Sequence, residues 1–192
     1  MTKKRCEPEE SMKKIVSAAL GLVKRLGAAG VTIGAVAEEA GCAKGLVHYH
    51  FKTKQRLWEA TARRLALERH RRWTEAFKAG SPKEAIRATW DLLVEESVDG
   101  TTLAWTTMLG PGGFVSDQVI SSAIGEFGLA VGRAARSMLE RLGMRMRIPE
   151  SEIGLLLSAV VTGAGFQVLA GVSRDDLEGA YAAAWLGILA LT

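Results

Sequence analysis

The chain has 192 residues, 48% hydrophobic and 24% charged, a length that suits one compact domain or a small domain joined to a larger one. Its two cysteines, Cys6 and Cys42, are too few and too far apart for a disulfide scaffold or a thiolate metal site. The net charge of +4 hides a gradient: residues 1–78 carry 17 Lys and Arg against 8 Asp and Glu, net +9, and residues 79–192 carry 8 against 13, net −5, which suggests a polyanion-facing module attached to something else.

The first residues, MTKKRCEPEESMKK, are charged throughout and lack the apolar core of a signal peptide, so a reducing, cytoplasmic setting is expected. From residue 11 to 26, Met12, Ile15, Val16, Ala19, Val23 and Leu26 recur at three- and four-residue spacings, predicting an amphipathic helix capped by Gly27. Thr32 is placed to N-cap a short second helix that buries Ile33, Val36 and Ala37 and ends at Ala40-Gly41. A third short helix is expected from about Ala43 to His50, and Thr53 opens a long one to about Lys78. Ser81-Pro82 then precedes a helix over about Lys83–Val98, and Gly110-Pro111-Gly112-Gly113 reads as a loop. Further helices are expected over about Asp117–Leu142, from Pro149 to about Ala170, and from a cap at Ser173 almost to Thr192, so the expected fold class is all-α.

Residues 32–51, TIGAVAEEAGCAKGLVHYHF, have the helix, glycine turn and second helix of a helix-turn-helix. In such a motif the second helix enters the major groove. Lys44 is suited to guanine or phosphate, Gly45 to close backbone approach, and His48, Tyr49 and His50 to hydrogen bonding.

The pattern T-x-x-x-V-A-x-x-A-G-x-x-x-G-x-x-x-x-H-F-x-x-K-x-x-L from Thr32 to Leu57 resembles the N-terminal domain of the tetracycline-repressor (TetR) family. The resemblance is close over about residues 11–58 and, beyond them, rests on length and helical character alone. It implies a three-helix helix-turn-helix domain, residues 1–56, and a larger helical regulatory, ligand-binding and dimerisation domain, residues 57–192. It also implies that Lys44, Gly45 and His48 face base edges and that Thr32, Tyr49, His50 and Lys54 touch phosphates of an operator. Two positions depart from the family pattern. Ala43 stands where a Ser or Thr usually caps the recognition helix, at a cost of about 0.5–2 kcal/mol, and His48 stands where tyrosine is usual.

Other constellations carry less. His48 and His50 are two apart and do not share a helix face, so no metal is expected. Cys42 reads as a small buried hydrophobe, with a redox role open because Lys44 lies near. Gly163-Ala164-Gly165 lacks the strand and third glycine of a dinucleotide site. Arg63, Arg64, Arg69, Arg71 and Arg72 read as the solvated face of the long helix, and Glu95, Glu96 and Asp99 as surface. No catalytic set and no cofactor are expected.

Ile153 to Val172 is twenty residues without a charge, long enough to cross a bilayer. Its Gly154, Gly163, Gly165 and Gly171, with Ser158, Thr162 and Gln167, and the second uncharged stretch from Gly179, favour two helices packing against their copies in another subunit. The resulting expectation is a homodimeric transcriptional regulator, a ligand-responsive repressor on a near-palindromic operator. Its unknown small-molecule effector is expected to be lined by Trp90, Trp105, Met108, Phe114 and Phe127. The alternative is a helical carrier or enzyme, or a membrane-associated protein.

Overall fold

The computed structural model describes residues 8–110 and 114–190, so Cys6 and most of the expected Gly110–Gly113 loop lie outside the described residues. Among these residues the chain forms nine α-helices and no strand: α1 (Pro8–Leu26), α2 (Ile33–Glu39), α3 (Lys44–Phe51), α4 (Lys54–Ala76), α5 (Pro82–Val98), α6 (Thr101–Leu109), α7 (Asp117–Glu140), α8 (Glu150–Leu169) and α9 (Arg174–Leu189).

Local chemistry sets most boundaries. Thr32, Thr53 and Ser81 each accept a hydrogen bond from a backbone N–H of the helix they open, and Ser81 with Glu84 forms a reciprocal capping box. Ser173 occupies the N-cap position of α9 as expected, but its side chain makes no capping bond. α1 buries Ile15, Ala19 and Val23, whereas Met12 and Leu26, expected on the same stripe, are exposed near its ends. α6 has no counterpart among the sequence-based expectations. TTLAWTTML is apolar or threonine on every face and therefore shows no periodic stripe.

α1 packs on α2, α3, α4 and α6, and α4 continues from the N-terminal unit into the rest of the molecule, where it meets α5, α6 and α7. The core of that larger part is built from Leu65, Trp73, Leu93, Trp105, Met108, Phe127, Met138, Leu157 and Trp185. α1 also holds the turn between α5 and α6. Gly100, at φ 82°, lies so close to the Lys24 carbonyl that a Cβ has no room, Lys24 pairs with Asp99 at 3.6 Å, and the Ala28 N–H donates to Thr107 Oγ1 at 3.2 Å. Burial pushes the Asp99 carboxyl up, but the Thr101 hydroxyl and N–H and the Lys24 and Arg72 charges outweigh it and hold the group below its ordinary value.

α7 and α8 cross at close range through glycine. A Cβ at Gly132 would lie 2.5 Å from the Glu150 carbonyl oxygen, and one at Gly154 would run into the Gly128 carbonyl. Gly154→Ala is therefore expected to destabilise the fold by about 1–3 kcal/mol, because backbone rather than a flexible side chain must move. A urea midpoint equal to that of the wild type would show that this crossing is not tight.

Candidate nucleic-acid interface

The exposed face of α3 is set by what the other face buries. Val47 and Phe51, four residues apart, anchor the helix inward, which leaves Lys44, Gly45, His48 and Tyr49 together on the outer side. The turn before α3 is held by Gly41 at φ 62° and by the Cys42 N–H donating to the Ala37 carbonyl at 2.9 Å. Ala43 has the extended backbone of an N-cap and no side-chain bond, as its lack of a hydroxyl requires. Burial pushes the Cys42 thiol above its ordinary value.

The far end of α3 is closed by Lys52, whose φ of 59° is positive, which is uncommon for a side-chain-bearing residue. Its N–H donates to the His48 carbonyl at 2.9 Å, its own carbonyl sits 3.2 Å from His48 Nδ1, and its ammonium lies 5.1 Å from the centre of the Tyr49 ring. The His48 ring is thereby fixed through Nδ1, leaving Nε2 for an external partner. Lys52 was not among the expected contact residues. It lies in a run from Ala40 to Trp58 that contains Lys44, Lys52, Lys54 and Arg56 and no acid, and that run is the signal that could have found it.

The seven expected residues lie on α3 and at the starts of α2 and α4. Thr32 is exposed; its Oγ1 accepts from the Ala35 N–H at 3.1 Å, so its hydroxyl proton is still available to a phosphate. Tyr49 is 65% exposed. Lys54 is exposed, with its ammonium 5.4 Å from the Trp58 ring centre and 5.9 Å from that of Phe114. His50 differs from the rest. It is half-buried between Tyr49 and Phe51, and its Nε2 is enclosed without a hydrogen-bond partner, so this atom does not face outward.

Gly45 is exposed, and a Cβ there would meet nothing within 4 Å, so internal packing does not demand glycine. Gly45→Ala is expected to stabilise the fold by about 0.5–1 kcal/mol through helix propensity while weakening DNA binding through the added methyl group. Parallel thermal unfolding and DNA titration check this, and unchanged DNA affinity would remove Gly45 from the contact surface.

The basic run on α4 is only partly a solvated face. Arg63 and Arg64 pair along the helix with Glu59 and Glu68, and Arg72 reaches Glu95 at 2.9 Å and Asp99 at 3.1 Å. Arg69 corrects the expectation outright: it is buried and pairs with Glu96, itself fully buried, at 2.8 Å. Glu96 is likewise not a surface residue, because both charges lie on apolar stripes that face the core.

The five expected effector residues are spread through the larger part. Trp105 and Phe127 lie 5.5 Å apart, Trp90 stacks instead on Tyr181 of α9 at 5.5 Å, Met108 is fully buried, and Phe114 is half-buried beside Lys54. A cleft of about 420 Å³ between α4 and α7 includes Phe127 alone of the five. No group of three or more His, Cys, Asp or Glu suited to a metal occurs among the described residues.

A family model described as "Bacterial regulatory proteins, tetR family" matches residues 15–61, which span α1, α2, α3 and the start of α4. Among curated proteins no sequence matches. Solved structures show the same fold along nearly the whole chain. A TetR-family transcriptional regulator of Pectobacterium atrosepticum superposes with a TM-score of 0.71 at 17% identity, over 98% of this chain and 97% of that one. A TetR transcription regulator of Haloarcula marismortui gives 0.71 at 19%, over 95% and 98%. The multidrug binding protein EbrR, complexed with imidazole, gives 0.63 at 22%, over 91% and 94%.

Proposed function

Because the chain belongs, through residues 15–61, to the tetR family of bacterial regulatory proteins, and is therefore a DNA-binding transcriptional regulator, we propose that it acts as a ligand-responsive, non-enzymatic repressor in the cytoplasm. It binds a near-palindromic operator as a homodimer. The observation that carries this is the outer face of α3, where Lys44, Gly45, His48 and Tyr49 stand together between two threonine-capped helices in a stretch free of acids. Lys44, Gly45 and His48 face base edges, and Thr32, Tyr49, His50 through its other ring nitrogen, Lys52 and Lys54 hold the backbone. Residues 1–56 form the DNA-binding domain and residues 57–192 the regulatory one.

The dimer forms through α8 and α9. α8 is long and apolar enough to cross a membrane, yet it packs on α5, α6, α7 and α9 and carries Ser158, Thr162 and Gln167. Its outer face and that of α9 expose Leu155, Leu156, Phe166 and Leu186, an apolar surface that a second copy covers. EbrR, a multidrug binding protein of the same fold, supports reading the regulatory domain as a small-molecule sensor, with Trp90, Trp105, Met108, Phe114 and Phe127 as candidate lining. An effector shifts the population toward a form in which α4 tilts and moves the paired recognition helices out of register; reciprocity requires the operator to weaken effector binding by the same factor.

Lys54→Ala tests the phosphate role. It should weaken binding to all sequences alike and lower the slope of log affinity against log salt by about one. Equal slopes for variant and wild type would contradict it.

A further inference from the structure

We infer that the regulatory domain receives its effector at the buried Arg69–Glu96 pair, and that the effector is an uncharged aromatic molecule bearing one group that both donates and accepts a hydrogen bond, such as a phenol or a carboxamide. This rests on the ligand-responsive reading above and gives it a site and a chemistry.

Arg69 of α4 and Glu96 of α5 are 2% and 0% exposed, and Arg69 Nε donates to Glu96 Oε2 at 2.8 Å. The guanidinium carbon lies 4.5 Å from the ring centre of Trp105, 4.6 Å from that of Phe127 and 5.9 Å from that of Trp73. A charge pair this deep contributes little stability compared with an apolar pair of the same volume, so packing alone does not explain it. The pair is also incomplete. Arg69 Nη1, Glu96 Oε1 and the indole Nε1 of Trp73 are buried with no hydrogen-bond partner among the described residues.

One unmet acceptor and two unmet donors around a pair of zero net charge select the partner. A carboxylate would satisfy Arg69 and be repelled by Glu96, and a cation would meet the reverse conflict. A hydroxyl or carboxamide can accept from Arg69 or Trp73 and can donate to Glu96, so it meets neither conflict while the pair stays intact. The three aromatic rings set the rest of the molecule as flat and apolar.

Access is suggested by Phe127, which walls both this pair and the cleft of about 420 Å³ between α4 and α7, together with Ala66, His70, Val119 and Ala123. The proposed route from the cleft to the pair runs past this ring, whose centre lies 4.6 Å from the guanidinium carbon. The readout lies one helical turn along α5, where Asp99 pairs with Lys24 of α1 and Arg72 of α4. A ligand that shifts the end of α5 therefore moves both helices that carry the DNA-binding unit.

The test uses the full chain without DNA and five probes of similar size: phenol, benzamide, toluene, benzoate and benzamidinium. Binding is read by tryptophan fluorescence and by the rise in Tm. Phenol and benzamide should bind at least ten-fold more tightly than the other three. The double variant Arg69→Met with Glu96→Leu, which keeps an apolar filling, should bind all five within three-fold of one another. Should that variant fail to fold, Trp73→Phe, which removes one donor and keeps a ring, should lower phenol affinity at least three-fold. Equal or stronger binding of a charged probe or toluene, unaltered phenol affinity in the folded variant, or no binding of any probe overturns the inference. Failure here leaves selection of an operator untouched, whereas a chain that binds phenol as described but selects no DNA refutes the regulator reading and keeps the site.

Discussion

Arg69→Ala should destabilise the protein by about 3–5 kcal/mol, the cost of leaving one charge of a buried pair without its partner. Glu96 is fully buried, so its carboxylate is left without its partner, and the loss of the guanidinium also opens a void between the Trp105 and Phe127 rings. Glu96→Ala should fall in the same range. The double replacement Arg69→Met with Glu96→Leu should recover most of the loss, because it removes both charges and refills the space. Urea denaturation of the three variants measures this; single variants within about 0.5 kcal/mol of the wild type, the ordinary range for surface substitutions, would show that the pair is solvated after all.

Placing aspartate at both Phe166 and Leu186 should yield a folded monomer with operator affinity lowered by about 10²–10⁴, the loss expected when two linked half-site contacts become one. These two side chains are 60% and 68% exposed on α8 and α9, so they contribute little to the fold of a single chain and much to any surface that covers them. Sedimentation velocity gives the oligomeric state, and titration against full and half operators gives the affinity. A variant that remains dimeric would move the interface away from this face.

Capping is local chemistry, so Thr32, Thr53 and Ser81 marked the starts of α2, α4 and α5 directly. The helix-turn-helix was legible because a short motif carries it with fixed spacing, and the family model falls on the same stretch. α6 was not, since an apolar, threonine-rich segment has no face to read. Arg69 and Glu96 were misread by charge alone. Arg69 stands four residues from both Leu65 and Trp73, and Glu96 four from Leu92, so each sits on a buried stripe, and two opposite charges so placed are a signal of pairing that spacing does reveal. The close crossing of α7 and α8 required knowing which helices meet, which no local pattern states.

The central claim, a dimeric regulator reading DNA through α3, is tested most directly by selecting bound duplexes from a random pool at physiological salt. The enriched sequences should form a near-palindrome whose half-site centres lie about 34–36 Å apart, or a multiple of that, and Lys44→Ala should relax the preference at one position of each half-site. No enrichment over the starting pool, or enrichment of a single unrepeated site bound by one chain, would contradict it.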